Sequence, residues 1–310
     1  MKTSANTVLL LHNPRSGARQ AGDIIAAHRE RLQHGGLEVL VLDNLDQLPT
    51  LAREWQHQGR LHSVIAAGGD GTAAAVAARV PETIPLWLCP LGTENLLAKH
   101  LGMTADPNQA LESLRRRRTR QLDAGLANGQ LFLIMVSIGF DAEVVRLTHT
   151  ARRGHINRWH YAWSITRAIL HYRFPLFQVQ TWMHPGQPPR IDTAAWCFCM
   201  VVPRYADGLA IAPMANEADG RIDVCTFRQG GLWKGWEYLR AVRRGRHQQH
   251  PDFQHRLAER LSIDTHPSIP ATANLSNVPF QRDGDFGGYL PLTVEVLPQR
   301  LTIIAPVPGS

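Results

Sequence analysis

Ser63-Val64-Ile65-Ala66-Ala67-Gly68-Gly69-Asp70-Gly71-Thr72-Ala73-Ala74-Ala75-Val76-Ala77-Ala78 decides the fold. The apolar run Ser63–Ala67 reads as a buried strand, and Ala73–Ala78 is a strong helix former. Three glycines between them let the backbone turn tightly and come close to a bulky anion. The helix start offers unused N–H groups and the positive end of its dipole to phosphate. An ordinary βα turn needs one or two glycines, not three around an aspartate. A carboxylate there suits a metal–phosphate site or a base for a nucleophilic hydroxyl, and Asp70 is expected to meet metal and acceptor rather than the core.

Outward from this stretch the first third alternates. Strands are predicted at Val8–His12, Leu37–Leu42, Ser63–Ala67 and Pro85–Pro90. Helices are predicted at Arg19–Gln33, Gln47–Gln58, Thr72–Ala78, Asn95–Leu101 and Pro107–Arg116. Such alternation with short connections argues a parallel sheet covered on both faces, with ligands beyond the carboxyl ends of its strands. Two further loops sit at such ends. Asn13-Pro14-Arg15-Ser16-Gly17 offers short polar donors, a close-approach glycine and an arginine for phosphate, or simply a helix N-cap. Pro90-Leu91-Gly92-Thr93-Glu94-Asn95 carries Thr93 and Asn95, which suit a cap or a nucleotide equally well.

From about Leu122 the pattern turns β-rich. Gln121–Ala127, the turn Asn128-Gly129 and Gln130–Ile138 read as a hairpin. Strands fit Leu176–Met183, Ile191–Val202, Ile222–Phe227, Arg260–Asp264, Val278–Arg282 and Leu292–Val296. Helices fit Glu143–Thr148, Trp159–Leu170 and Leu232–Arg243. The expectation is a first domain over 1–124, a second over 125–296, and a tail of about 297–310 returning to the first. A site in the cleft between domains follows as an expectation, with Asp283 and Asp285 facing Asp70 there.

Composition bounds the rest. A chain of 310 residues, 44% hydrophobic and 19% charged, has length and apolar content for two cores. No apolar run reaches the roughly 18 residues of a membrane span, and Val8–Leu11 is too short for the apolar core of a signal peptide. Cys89, Cys197, Cys199 and Cys225 lack metal-ligand spacing and keep apolar company, so a reducing, cytoplasmic setting is expected. The net charge of +7 rests on arginine, since Lys2, Lys99 and Lys234 are the only lysines. Clusters at Arg115–Arg118 with Arg120, at Arg152, Arg153 and Arg158, and at Arg240, Arg243, Arg244 and Arg246 suit an anionic membrane surface or plain solvation. No nucleic-acid-binding signature accompanies them, so no nucleic-acid partner is expected. There is no P-loop and no Gly-x-Gly-x-x-Gly turn after the first strand.

Taken together, these loops resemble the diacylglycerol kinase catalytic family, which includes bacterial lipid kinases and sphingosine and ceramide kinases. Asn13-Pro14-x-Ser16-Gly17, Gly68–Thr72 and Pro90-x-Gly92-Thr93-x-Asn95 are similar to its nucleotide loops. Asp123, Ser137–Ala142, Gly208–Ala215, Asp219–Val224 and Gln281-Arg282-Asp283-Gly284-Asp285 are similar to its later segments. Where the family usually has Asp-Gly-Glu, this chain has Asp283-Gly284-Asp285, one methylene shorter at the last position.

The resemblance implies an α/β fold: a phosphofructokinase-like parallel α/β nucleotide-binding domain followed by a β-sandwich-like second domain. It implies transfer of the ATP γ-phosphate to a lipid hydroxyl, with diacylglycerol the first acceptor and phosphatidylglycerol or a sphingoid base behind it. Asn13, Arg15, Ser16, Gly17, Gly68, Gly69, Gly71, Thr72, Gly92, Thr93 and Asn95 would hold the nucleotide. Asp70 would serve metal and hydroxyl, Asp283 or Asp285 would be the base or its partner, and Asp219 with Asp123 would serve a structural Mg²⁺. Trp159, Tyr161 and Trp163 are candidates for the lipid entrance, although helix packing explains them as well. The expected setting is the inner membrane surface, with a homodimer left open. A small-molecule kinase of the NAD kinase type and a non-catalytic nucleotide- or lipid-binding regulator are the rivals. The order Glu94-Asn95, within a Gly-Thr-x-Asn loop, favours lipid over NAD.

Overall fold

The computed structural model describes residues 5–12, 21–150, 172–184, 186–206, 208–266 and 277–307. The expected Asn13–Gly17 nucleotide loop and the helix predicted at Trp159–Leu170 lie outside them, as do Arg152, Arg153 and Arg158. The chain divides into two units, Met1–Asp123 with Pro298–Ser310, and Ala124–Leu297.

The first unit is a parallel α/β layer. It contains β1 (Thr7–His12), α1 (Ala21–His34), β2 (Glu38–Leu42), α2 (Leu48–His57), β3 (Leu61–Gly68), α3 (Asp70–Ala77), β4 (Pro85–Pro90), α4 (Leu96–Leu101) and α5 (Pro107–Arg116). The strand order is β2-β1-β3-β4, all neighbours parallel. Near the chain end, Thr302 and Ile303 add a fifth parallel strand beside Pro85 and Leu86 of β4. The central strands read as unbroken apolar runs because both faces are covered: Val8, Leu9, Leu10, Val64 and Ile65 are fully buried. Truncating Ile65 to alanine would cost about 2–5 kcal/mol on that ground.

Helix ends follow local chemistry. Asp106 caps α5 by accepting the Asn108 amide, Pro107 stands at its first position, and Arg117 closes it at φ 50°. Arg300 donates to the carbonyls of Ala77 and Val80, satisfying the end of α3.

The second unit is built from two antiparallel sheets. Its elements are the end of β5 (Thr119–Ala127), β6 (Gln130–Phe132), β7 (Met135–Gly139), α6 (Phe140–Thr150), β8 (Phe177–Trp182), β9 (Arg190–Ala194), β10 (Trp196–Met200), β11 (Ile222–Phe227), α7 (Leu232–Arg243), β12 (Phe253–Ala258), β13 (Arg260–Thr265), β14 (Pro279–Arg282), β15 (Asp285–Tyr289) and the start of β16 (Leu292–Ile304). One sheet runs β12-β11-β10-β7-β14-β15. The other runs β16-β13-β8-β9. Phe132, Val136, Ile138, Phe177, Val179, Leu261 and Phe280 belong to the core of this unit. This is the α/β-then-sandwich architecture implied above.

Two strands expected to be continuous are broken. Ile191–Val202 divides at Ala195 into β9, which pairs with β8, and β10, which pairs with β7 and β11. Gln130–Ile138 divides at Leu133-Ile134 into β6 and β7, which pair in different sheets. Apolar patterning does not mark such corners, because a strand that switches sheets stays buried throughout.

Candidate active site

In the first unit, chain order reverses between β1 and β3, so the loops leaving these two neighbours diverge to opposite sides. Open α/β sheets bind ligands at such a point. The Gly68–Thr72 turn leaves the carboxyl end of β3 there. His12, paired with Ala67 across β1 and β3, buries an Nε2 with no hydrogen-bond partner among the described residues.

The turns after β3 and β4 touch through glycine. A Cβ on Gly92 would stand 2.6 Å from Gly69 Cα and 2.8 Å from Asn95 Oδ1, which no real side chain does. A Cβ on Gly68 would meet the Thr72 side chain, at 2.3 Å from its Oγ1. Leu91 N donates to Gly68 O at 2.9 Å, continuing the pairing into the loops. Thr93 is exposed, as is Gly71, at the first turn of α3.

Asp70 links the two turns by its side chain. Leu96 N donates to one carboxylate oxygen at 2.9 Å and Leu97 N to the other at 3.1 Å. It thereby caps α4, a task expected of Thr93 or Asn95. Asn95 instead sits in the left-handed region at φ 50° and exchanges hydrogen bonds with the Gly92 backbone, at 2.9 and 2.7 Å. Burial raises the Asp70 pKa, while the two amides and Lys99 pull it back. Asp70 is therefore tied to the scaffold as well as placed at the loop face.

In the second unit, Asp283-Gly284 forms the two-residue connection between Arg282 of β14 and Asp285 of β15, with φ of 47° and 88°. Two positive φ angles are what a twist-matched hairpin turn requires, and Asp-Gly supplies them. The Asp283 carboxylate turns inward and accepts the amides of Leu133, Ile134 and Met135 at 2.8, 2.9 and 3.0 Å. It holds the corner between β6 and β7. Asp285, two residues on, pairs with Arg282 through its backbone, while its side chain is exposed and has no hydrogen-bond or ion-pair partner among the described residues.

Beneath the turn lies a buried polar cluster. Gln281 Oε1 accepts the Gly284 amide at 2.8 Å, and its Nε2 lies 2.9 Å from Ser137 Oγ and 3.2 Å from Asp141 Oδ2. Ser137 donates to the same Asp141 oxygen, and Tyr205 OH is within 3.3 Å of Gln281 Nε2. Desolvation raises the Asp141 pKa, against the hydrogen bonds of Ser137, Gln281 and Tyr205.

The donor sets bear on Mg²⁺. Among the described residues no three His, Cys, Asp or Glu side chains converge as a metal cage. Mg²⁺ on a nucleotide needs only one or two carboxylates, completed by phosphate oxygens and water. Asp70 fits that need, since each oxygen keeps a lone pair after accepting one amide. Asp219 is exposed and accepts the Arg221 amide at 3.0 Å, while Asp123 is buried and accepts the Gln299 amide at 2.8 Å. Neither belongs to an acidic cluster among the described residues.

Family comparison agrees with both units. The diacylglycerol kinase catalytic domain matches residues 7–127, and the YegS C-terminal NAD kinase beta sandwich-like domain matches residues 134–305. The chain belongs to the diacylglycerol kinase catalytic domain family. Among its relatives, the "Diacylglycerol kinase" of Mycobacterium tuberculosis (strain ATCC 25618 / H37Rv) is 26% identical over 97% of this chain and 96% of its own. The "Probable lipid kinase YegS-like" of Pseudomonas aeruginosa (strain UCBPP-PA14) is 33% identical over 46% of each chain, so the match spans about half of that relative. A crystal structure of a diacylglycerol kinase from Bacillus anthracis str. Sterne shares the fold. Its TM-score is 0.66 at 21% identity, covering 97% of both chains.

The loops of this diacylglycerol kinase family member are visible in its sequence, but the ties between them are not. Nothing in Gly-Thr-x-Asn announces that Asp70 caps α4. Gln281 had one available signal, a polar residue in the otherwise apolar run Val278–Phe280 just before the Asp-Gly turn.

Proposed function

We propose that this chain is an ATP-dependent lipid kinase, transferring the γ-phosphate of ATP to a membrane-lipid hydroxyl, with diacylglycerol the first acceptor to test. The observation that carries the reading is the Gly69–Gly92 contact between the turns after β3 and β4, next to the β1/β3 switch point, with Asp70 pinned beside it. Backbone packed that closely leaves side-chain-free surface for phosphate, and the first-turn amides of α3 supply donors. Family membership and the relatives' names support the acceptor class.

In this reading Gly68, Gly69, Gly71, Thr72 and Gly92 hold the triphosphate, together with Asn13, Arg15, Ser16 and Gly17. Thr93 stands at the rim of the same loops, and Asn95 keeps Gly92 in place. Asp70 would hold Mg²⁺ arriving with the nucleotide, which would supply charge neutralisation for the transfer. Asp70 orients the phosphate side through its fixed carboxylate. Asp285 takes the proton of the lipid hydroxyl as its oxygen bonds to the γ-phosphorus. The bond from that phosphorus to the β-phosphate oxygen breaks, and ADP leaves. Asp283 is assigned the frame rather than the proton, because its oxygens already accept three amides. The expected setting is an anionic membrane surface, reached from the cytoplasmic side, with products entering phospholipid metabolism.

The test is incubation with γ-labelled ATP and Mg²⁺ in parallel with diacylglycerol, phosphatidylglycerol, sphingosine and NAD. Label in a lipid carries the reading. Label in NADP would move the chain to the NAD kinase type, and nucleotide or lipid binding without transfer would make it a regulator.

A further inference from the structure

The basic clusters are not alike. At the end of α5, Arg115 is paired with Glu112 and the Gly35 carbonyl, and Arg117 with the Ala5 carbonyl, so two arginines of this cluster are spent on their own unit. On α7 the arrangement differs. Tyr238 and Val242 form its buried side, and Gly235 packs on Trp196 so closely that a Cβ would lie 2.9 Å from that ring. The opposite side carries Trp233 at 87% and Trp236 at 55% exposure, with Leu232 beside them. At 100° per residue these share a face with Arg240, Arg243 and Arg244, all exposed. None of the three pairs with a carboxylate among the described residues. The one acidic residue of the helix, Glu237, is paired with Lys234 at 3.1 Å and hydrogen-bonded to His250 Nε2 at 2.9 Å.

Soluble proteins rarely leave two adjacent tryptophans open to water, and indole prefers the boundary between hydrocarbon and headgroup. A helix with aromatic residues and arginines on one face is the composition of an element lying in a membrane interface. Beside the arginines lies an open groove of about 490 Å³ lined by Trp236, Glu237, Arg240, Arg244, Arg246 and His250, in which three arginines outweigh one carboxylate and favour a phosphate headgroup.

We propose that α7 docks the chain on an anionic lipid surface, with Trp233 and Trp236 entering the interface and Arg240, Arg243 and Arg244 meeting lipid phosphates. The proposal rests on the lipid-kinase reading for its purpose, though not for its physics. Charge selects the occupant: a second copy of this chain would bring the same unpaired arginines against each other, whereas an anionic bilayer neutralises them.

The test is vesicle flotation of the full chain on phosphatidylcholine alone and on phosphatidylcholine mixed with phosphatidylglycerol, at low and high salt. Wild type is expected to float with the anionic vesicles and to be released by salt. Each arginine is worth about fivefold in partitioning, so Arg240→Glu/Arg243→Glu/Arg244→Glu should weaken binding by roughly 10²-fold or more. Trp233→Ala/Trp236→Ala should weaken it by about 10-fold, with an unchanged unfolding midpoint because both rings are exposed.

Equal flotation of both variants and wild type overturns the proposal, as does flotation indifferent to lipid charge. So does a wild-type dimer in sedimentation that the tryptophan variant disperses. Phosphorylation of a short-chain acceptor in detergent separates the two readings. If wild type phosphorylates it but the α7 variants float normally, α7 fails and the kinase stands. If no lipid is phosphorylated while flotation follows α7, the kinase reading fails and the docking surface stands.

Discussion

Asp283 and Met135 exchange hydrogen bonds in both directions: the Asp283 amide donates to the Met135 carbonyl at 3.0 Å, and the Met135 amide donates to Asp283 Oδ1 at 3.0 Å. The reciprocal pair locks the hairpin turn to the sheet corner, and Leu133 and Ile134 add two more amides to the same carboxylate. Removing it strands three backbone donors in buried surroundings. Asp283→Ala should therefore lower unfolding free energy by about 3 kcal/mol or more in urea titration. Asp285→Ala should move it by less than about 0.5 kcal/mol while cutting turnover roughly 10²-fold. A stable, inactive Asp283→Ala beside a fully active Asp285→Ala would exchange the two roles.

The glycine contact makes a paired prediction. On Gly92 an added methyl meets backbone at 2.6 Å, so the two turns must separate. On Gly69 it meets backbone at 3.4 Å, an ordinary contact. Gly92→Ala should lower turnover by about 10²-fold through loop displacement and lower stability as well. Gly69→Val should keep stability but lose nucleotide affinity, because its side chain occupies space meant for phosphate. Isothermal titration with an ATP analogue, alongside urea unfolding, checks both. Unchanged affinity in Gly69→Val would remove the phosphate-loop assignment.

Gln281 connects the buried Asp141 to the turn that carries Asp285. Gln281→Leu breaks both ends of that link and leaves the Asp141 carboxylate short of a donor. A stability loss of about 1–3 kcal/mol is expected, with a lower kcat and little change in the KM for ATP. A raised KM for ATP with kcat unchanged would show that this cluster serves the nucleotide instead.

Acid should weaken the first unit through His62. Burial, aided by nearby Arg117, lowers its pKa to about 4 from the ordinary 6.5, while a backbone hydrogen bond at Leu114 opposes the shift. The unfolded chain therefore binds more protons between those values, so this contribution is full above pH 6.5 and drains away towards pH 4. Burial shifts His28 in the same direction. Asp70 and Asp141, whose burial raises them, act in the opposite sense. The discriminating measurement is therefore the difference between wild type and His62→Gln in Tm against pH. The variant should show a shallower loss over that window, and identical slopes would contradict the assignment.

Most of the fold was legible because its signals are local. Strand–helix alternation across Val8–Arg116 carries its own periodicity, and three glycines around Asp70 have few uses other than a ligand turn. What escaped was non-local. The corners at Ala195 and at Leu133-Ile134 depend on which sheet each half-strand joins, and the second is held by a carboxylate about 150 residues away. Two strands, β12 and β15, were not anticipated. Phe253–Ala258 alternates apolar and polar residues only weakly, and Asp285–Tyr289 carries two glycines. The choice between Asp283 and Asp285 was open in sequence, since both are aspartates flanking one glycine; only side-chain direction separates them.

The most direct test of the central claim is transfer of label from γ-labelled ATP, comparing wild type with Asp70→Asn on mixed lipid vesicles and on NAD. An asparagine can accept one α4 amide but not both, so a stability loss of about 1 kcal/mol is expected and is measured alongside. Wild type should place label in a lipid and none in NAD. The variant, still folded, should retain less than about a tenth of that turnover, since a misplacement of about 1 Å on the phosphate side costs about 10²-fold. Label in NADP, or a folded Asp70→Asn that transfers at the wild-type rate, would contradict the account.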